Sequence, residues 1–272
     1  MQNHNRFYEK IAIVTGASDG VGRATALALA KRGAHLAIAA RRKDLLDSLA
    51  SEIKMYDRDV LVAEVDVTDI HHVNHLVDEV INRWGQVDIL ISNAGEYIRG
   101  YIDTLTIQDI QRSMAVNFYG GVYAIMAVLP HMQKRKSGHI VVVTSMDGKK
   151  GLPKDAPYAA AKFALTGFVE VFRQELCCDS GIYISNVLPG RVDTKMIKNL
   201  RVPWISAKIS PEAVTSAILF AIEKRKPEVI IPPQAILLHY INVLSPRMGD
   251  YLARVLHLEG WEDQREGDST LS

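Results

Sequence analysis

Cysteine is nearly absent from this 272-residue chain: Cys177 and Cys178 are the only two, and they are adjacent. Neighbouring cysteines make neither a disulfide framework nor a metal site, and so few thiols suit a reducing cytoplasm. No spacing of histidines and carboxylates resembles a metal-ligand set, so no metal is expected. An excess of one charge is missing too. The net charge is +1 with both signs interspersed, which argues against a nucleic-acid or polyanion partner. No uninterrupted apolar run approaches the roughly 20 residues that span a bilayer. The polar start MQNHNRFYEK lacks the basic-then-apolar profile of a signal peptide, so membrane contact is not expected. No linker, repeat or low-complexity segment divides the chain. Residues 1–258 are therefore read as one domain with a single large core, and the polar residues from Glu259 to Ser272 as a tail that frays.

Short β-branched runs alternate with amphipathic stretches, the pattern of repeated βαβ units around a parallel sheet. Strands are predicted at Ile11–Thr15, His35–Ala39, Val60–Val65, Val87–Ser92, His139–Thr144, Tyr183–Leu188 and Val229–Ile231. Most are continuously apolar, as strands buried on both faces must be. Helices fit between them at Val21–Arg32, Lys43–Met55, Ile70–Trp84, Thr106–Lys134, Pro157–Ser180 and Pro211–Lys224. Gly33, Gly85 and Gly181 sit at expected helix ends, and Ser210-Pro211 reads as an N-cap followed by an N1 proline. The predicted fold is a doubly wound α/β domain with a seven-stranded parallel sheet in the order 3-2-1-4-5-6-7.

Chemistry gathers at a few places. Gly16, Gly20 and Gly22 fall where the first strand turns into the first helix, with Ser18, Asp19 and Val21 between them. Glycines there permit a tight turn and close approach of backbone to a pyrophosphate, while the helix N-terminus offers free N–H groups. Such a turn also serves S-adenosylmethionine enzymes, or no ligand at all. Far downstream, Tyr158 and Lys162 stand at i, i+4 on one helix face, with Cβ atoms about 5–6 Å apart. An ammonium that close is expected to pull the phenol down from its usual value near 10, toward a range useful for proton transfer. Ser145 closes a buried strand thirteen residues before the tyrosine.

In these motifs the chain resembles the short-chain dehydrogenase/reductase family, in its compact single-domain branch. Thr15-Gly16-Ala17-Ser18-Asp19-Gly20-Val21-Gly22 matches its T-G-x-x-x-G-x-G. Ser92-Asn93-Ala94-Gly95 matches its N-N-A-G, with serine in the first place. Asn117, Ser145, Tyr158 and Lys162 match its catalytic tetrad in order and approximate spacing, and Pro189-Gly190 with Val192 and Thr194 matches its P-G-x-V-x-T. The resemblance covers about residues 9–232. It implies an oxidoreductase that moves a hydride between a nicotinamide cofactor and a carbonyl or secondary alcohol. In that reading Tyr158 is the general acid or base, Ser145 holds the carbonyl oxygen, and Lys162 also bonds the nicotinamide ribose. Asn117 resembles the residue that anchors a proton-relaying water. Asp66 and Val67 resemble the pair that receives the adenine, although Asp66 or Thr68 could equally cap the next helix. A nucleotide-binding regulatory or scaffold protein with this fold and no turnover is the alternative.

The end of the second strand bears on the cofactor. An acidic residue there would bond the ribose 2′-hydroxyl and select NAD. Here Ala39-Ala40-Arg41-Arg42 stands in that stretch, and a guanidinium suits a 2′-phosphate. By the resemblance, Arg41 implies NADP(H), with NAD(H) still admitted because Asp19 stands where some NADP-preferring members carry a basic residue. Substrate is expected between 96–101, 146–153 and 191–207, a stretch mixing Tyr97, Tyr101, Met146, Leu152, Met196 and Trp204 with charged side chains. Lys149 and Lys150 there could draw an anionic carbonyl compound, or simply be solvated. Residues 236–256 carry apolar stripes at helical spacing, broken by Ser245-Pro246. They could pack on the domain, form an interface, cover the pocket or lie on a membrane surface, and His239 and His257 read as edge histidines. The long fourth and fifth crossover helices carry Met114, Phe118, Tyr123, Met126, Phe163, Phe168, Val169 and Phe172 over more than one face. The resemblance implies that such helices pair between subunits, giving a homodimer or homotetramer.

Overall fold

Each strand of the central sheet sends alternate side chains to opposite faces, so the apolar runs divide between two cores. The computed structural model describes residues 6–176 and 180–262; Cys177, Cys178 and the tail past Glu262 lie outside the described residues. The strands are β1 (Ile11–Thr15), β2 (His35–Ala40), β3 (Val60–Glu64), β4 (Ile89–Ser92), β5 (Gly138–Val143), β6 (Ile182–Pro189), β7 (Leu200–Arg201), β8 (Glu228–Ile231) and β9 (Trp261–Glu262). Seven of them form one sheet in the order β3-β2-β1-β4-β5-β6-β8, every neighbouring pair parallel. This is the predicted doubly wound single domain. Its last strand is β8 because the short β7 intervenes in the chain.

The helices are α1 (Gly20–Ala30), α2 (Lys43–Lys54), α3 (Ile70–Trp84), α4 (Ile107–Met114), α5 (Gly120–Arg135), α6 (Ala156–Glu175), α7 (Pro211–Lys224), α8 (Ile236–Leu244) and α9 (Pro246–Val255). On one face Ala12, Val14, Leu36 and Ile38 pack with Leu29, Leu46, Leu49 and Ile218 from α1, α2 and α7. On the other, Ile11, Ile13, Ala37 and Leu90 pack with Leu76, Val80, Ile125, Leu129 and Leu165 from α3, α5 and α6. Burying each such aliphatic side chain contributes about 1.5–3 kcal/mol.

One predicted long helix is interrupted. Thr106 starts α4 with a reciprocal capping box to Asp109, but Ala115–Tyr119 forms a π-turn before α5 begins. A π-turn inserts a residue into the helical ladder, commonly at functional sites, and hydrophobic spacing gives no sign of it. Counted through that turn, Ile107–Arg135 is long enough to cross a bilayer, and its most apolar 18-residue window has a mean hydropathy of 1.3, although half of that window is buried in the fold. Helical continuity, not an uninterrupted apolar run, brings it to that length.

Where the frayed tail was expected to begin, the chain is instead paired as far as Glu262, and the rest of that tail lies outside the described residues. Gly260, at a φ of +69°, turns the backbone so that Trp261–Glu262 pairs antiparallel with Leu200–Arg201. Nearer the core, α8 and α9 meet at Ser245, whose hydroxyl caps α9. Neither helix buries its whole apolar stripe: Leu237, Tyr240, Leu244, Met248, Tyr251 and Val255 remain exposed.

A buried histidine in β5 makes stability depend on pH. His139 is 6% exposed; its Nε2 lies 2.8 Å from Ser185 Oγ, whose hydroxyl donates to the Lys226 carbonyl. Burial, helped by the nearby positive charge of Arg225 and Arg6, pushes its pKa down to about 4. The unfolded chain, with a histidine near 6.5, therefore binds more protons than the folded one between those values. Stability is full above about 6.5 and is lost as pH falls toward 4. Replacing His139→Gln should remove this component. The wild-type advantage in unfolding free energy should shrink by up to about 3 kcal/mol from pH 6.5 to 4, measured by urea denaturation; a difference that does not vary with pH would contradict it.

Candidate active site

The carboxyl ends of the parallel strands open on a cleft of about 530 Å³. Of the residues read from the sequence as catalytic or cofactor-binding, all line it except Gly22 and Asn117. The turn from β1 to α1 forms one end. Gly16 and Gly20 have φ of +67° and +55°, in the left-handed region that disfavours side chains. A Cβ on Gly16 would lie 2.8 Å from Ala94 Cα, and one on Gly20 would lie 2.9 Å from Thr194 Cγ2. Gly22 sits behind the turn, where a Cβ would strike the Gly16 carbonyl.

Thr15 and Asn93 bind this turn to the loop after β4. Thr15 Oγ1 accepts from the Asn93 and Ala94 backbone N–H groups at 3.0 and 3.2 Å, and donates to the Ile91 carbonyl. Asn93 Nδ2 donates to the Thr15 and Gly16 carbonyls at 3.2 and 3.4 Å.

Asp19 caps α1 by accepting from Gly20 N–H at 2.8 Å. Its carboxylate lies 3.3 Å from Lys195 Nζ and 3.7 Å from Arg42 Nη2. Partial burial pushes its pKa up, but the Gly20 bond and the Lys195 ammonium outweigh it and leave the group below its usual range. Arg42 also donates to Ser18 Oγ at 3.0 Å. Arg41 stays exposed on the rim, with no hydrogen bond or ion pair among the described residues. Asp66 Oδ1 accepts from Thr68 N–H and from Thr68 Oγ1 at 2.9 and 2.8 Å. The N-cap of α3 is instead Asp69, which accepts from His71 N–H.

Ser145, Tyr158 and Lys162 stand together at the other end. Lys162 is 3% exposed; its Nζ donates to the Val143 carbonyl at 3.1 Å and lies 5.6 Å from the centre of the Tyr158 ring. The expected pull of the ammonium on the phenol is overturned here. Burial pushes the Tyr158 pKa above its usual value, the Asp147 carboxylate adds to that, and the bond from Ser145 only partly opposes it. Burial also pushes Lys162 down, to about 8. Desolvation penalises the charged form of each group, and at this separation it exceeds their attraction.

Asn117, in the π-turn, clamps the loop after β4 and lines no part of the cleft. Its Oδ1 accepts from Glu96 N–H at 3.0 Å, and its Nδ2 donates to the Glu96 carbonyl at 2.8 Å and to Ser113 Oγ at 3.2 Å.

Several charged residues of this site were given no role of their own from the sequence, although Asp147 and Arg191 fall in stretches expected to meet substrate. Asp147 lines the cleft; its backbone N–H donates to Ser145 Oγ at 3.0 Å, and the serine hydroxyl donates back to Oδ2 at 3.3 Å. Burial, reinforced by Asp155, raises its carboxyl to about 7 despite the Arg191 guanidinium. Asp155 is fully buried; it accepts from Tyr97 Oη at 2.6 Å and lies 3.5 Å from Arg99 Nε. The Tyr97 ring meets Tyr158 edge-on at 5.0 Å. Arg191, which follows Gly190, also lines the cleft. Position after Ser145 and Gly190 was the only available signal for Asp147 and Arg191, and spacing carries no information on burial. Lys149 and Lys150, read either as draws for an anion or as solvated, pair with Glu228 and Asp250 at 3.0 and 2.7 Å. Of the anticipated substrate-side aromatics, Tyr97 lines the cleft, while Tyr101 and Trp204 are exposed at 61% and 87%.

Comparison with known proteins agrees with this architecture. A family model described as short chain dehydrogenase matches residues 10–203. The chain is 32% identical over 253 residues to the uncharacterized oxidoreductase YxnA of Bacillus subtilis, covering 90% of this chain and 71% of that protein. It is 30% identical over 259 residues to the dehydrogenase/reductase SDR family protein 7-like of Drosophila melanogaster, covering 90% and 79%. Among solved structures, an alcohol dehydrogenase from the archaeon Thermococcus sibiricus complexed with 5-hydroxy-NADP is similar, with a TM-score of 0.75 and 26% identity over 82% of this chain and 96% of that one. Levodione reductase has a TM-score of 0.79 over 84% of this chain and 98% of its own, at 24% identity, a likeness of fold.

Proposed function

Because the chain belongs to the short chain dehydrogenase family of oxidoreductases, we propose that it moves a hydride between NADP(H) and a small carbonyl compound or secondary alcohol, with Tyr158 transferring the proton. The observation that carries this reading is one continuous cleft with Arg41 on the rim at one end and Ser145, Tyr158 and Lys162 at the other. A dinucleotide suits its donors. The glycine turn exposes a helix N-terminus to a pyrophosphate, and Asp66 keeps acceptor capacity for an adenine amino group beyond its bonds to Thr68. The nicotinamide, when bound, supplies or accepts the hydride.

The chain's own residues supply the rest. Tyr158, held above its usual pKa by burial, stays protonated at neutral pH and is an O–H donor beside the carbonyl oxygen, the form that reduction needs. Ser145 adds a second donor where negative charge develops. Lys162 spends one of its three N–H donors on Val143 O, which leaves two for ribose hydroxyls. Asn117 positions the loop carrying Glu96 and Tyr97 through its clamp on Glu96.

Tyr158→Phe should abolish turnover while preserving the fold and most cofactor affinity, since only the transferable proton is lost. Lys162→Ala should damage both rate and cofactor binding. Rates of NADPH oxidation with a panel of ketones, quinones and aldehydes read both, and near-native rates in Tyr158→Phe would remove the tyrosine from its role.

Arg41 is the proposed reader of the 2′-phosphate, since Arg42 is held by Ser18 and Asp19. A charge-assisted bond is worth roughly 1.5–3 kcal/mol, so Arg41→Ala should weaken NADPH by about one to two decades and leave NADH nearly unchanged. Equal dissociation constants for the two cofactors in the unmutated protein would overturn the preference.

The outer faces of α5 and α6 are proposed as a two-fold subunit contact. Met126 and Phe163 are 52% and 46% exposed there, and apolar area of this kind is commonly covered by a second copy. Val169 and Phe172, expected to share that surface, are buried in their own core. Sedimentation at micromolar concentration should show a homodimer at least; a 30.2 kDa species alone would exclude it.

A further inference from the structure

Arg191 has a fixed backbone and an unsatisfied head. It follows β6, where Gly190 N–H donates to the Ile231 carbonyl at 2.7 Å and Ile209 N–H donates to the Arg191 carbonyl at 2.8 Å. Its Nη1 donates to Ser206 Oγ at 2.9 Å. Its Nη2 is buried and has no hydrogen-bond partner among the described residues. A guanidinium cannot lose its charge to relieve this, and a buried donor without an acceptor is destabilising. An acceptor arriving with the ligand removes that cost.

We infer that Arg191 is the specificity-determining residue of this cleft and that the substrate is an oxo acid, a carbonyl compound whose carboxylate meets Arg191 while its carbonyl oxygen meets Ser145 and Tyr158. The inference rests on the hydride-transfer reading above. Arg191 lines the same cavity as Ser145, Tyr158 and Asp147. It forms no ion pair within 4.0 Å among the described residues, so its charge is not cancelled by direct contact with either nearby carboxylate. Asp155 is engaged by Tyr97 and Arg99. Glu96, which also lines the cleft, is held by the Arg112 guanidinium, and desolvation holds the Asp147 carboxyl at about 7. Below that value it is neutral and can itself donate to a carboxylate. The surrounding charges are then the Arg191 and Lys162 cations, and an ammonium-bearing substrate would face both.

This arrangement makes selectivity depend on pH. The groups that act on Asp147 are Asp155, Arg191, Lys162 and the Ser145 hydroxyl, with Tyr158 and Tyr97 feeling its charge in turn. As pH rises through about 7 the carboxyl ionises and repels the bound carboxylate. Preference for acids should therefore be greatest below that value and decline above it.

The test compares two matched pairs, 4-formylbenzoate with its methyl ester and benzoylformate with its methyl ester, by NADPH oxidation from pH 6 to 9. The ratio of kcat/KM for acid over ester is the readout, because it cancels the fraction of folded enzyme and any pH dependence of proton transfer that both partners share. The ratio should be about tenfold or more in the wild type at pH 6 and fall above pH 7. Arg191→Met should collapse it at least tenfold, mainly through KM for the acids, and Arg191→Lys should restore part of it. Asp147→Asn should flatten its pH dependence. Ratios at or below one in both pairs, or a ratio unmoved by Arg191→Met, would overturn the inference. Turnover of neutral ketones with none of the acids would overturn it while sparing the hydride-transfer reading. Oxidation of NADPH by no carbonyl compound at all would sink that underlying reading instead.

Discussion

Everything in the cleft hangs from the junction between β1 and β4. Parallel strands that neighbour one another in the sheet send their crossovers to opposite faces here, which opens a crevice at their carboxyl ends. An open crevice leaves backbone groups without strand partners, and they must be satisfied elsewhere. Thr15 and Asn93 meet that demand with side-chain hydrogen bonds in both directions. The junction fixes the glycine turn relative to the loop after β4, and Asn117 fixes that loop relative to α4 through Glu96 and Ser113. The two ends of the cleft are thus set by a chain of short polar contacts rather than by packing alone.

Desolvation, more than any single charge pair, sets the protonation of the reacting end. Tyr158 and Asp147 move up and Lys162 moves down for the same reason: each loses water. A neutral phenol, a carboxyl near neutrality and an ammonium that releases its proton near 8 form a set whose members all titrate away from their usual ranges. Such sets cluster at functional sites.

Legibility from sequence followed locality. The strands and the order of the sheet could be read because β-branched runs and their spacing are local signals, and the handedness of βαβ units limits the ways to assemble them. The glycine turn, Ser145, Tyr158 and Lys162 were legible because their spacing is itself the signal. The π-turn at Asn117 was not, since it leaves the apolar period of the flanking helices intact. The direction of the Tyr158 shift failed because i, i+4 proximity is visible in a sequence while burial of the pair is not. The roles of Asp147, Asp155 and Arg191 were hidden for a related reason, since they are ordinary charged residues until the fold closes over them. The ion pairs of Lys149 and Lys150 were not legible either, because their partners Glu228 and Asp250 lie far along the chain.

The C-terminal segment is tied to the walls of the cleft at several points. Arg99 donates to the Glu259 carbonyl, Lys150 pairs with Asp250, His239 lies 3.0 Å from the Lys149 carbonyl, and β9 pairs with β7. These contacts join residues beyond the matched family region, which ends at 203, to the loops after β4, β5 and β6. The glycine turn and the segment that braces these loops therefore occupy different stretches of the chain. An inherited change after residue 203 can shift the loops around the cleft while the glycine turn, Ser145, Tyr158 and Lys162 keep their sequence.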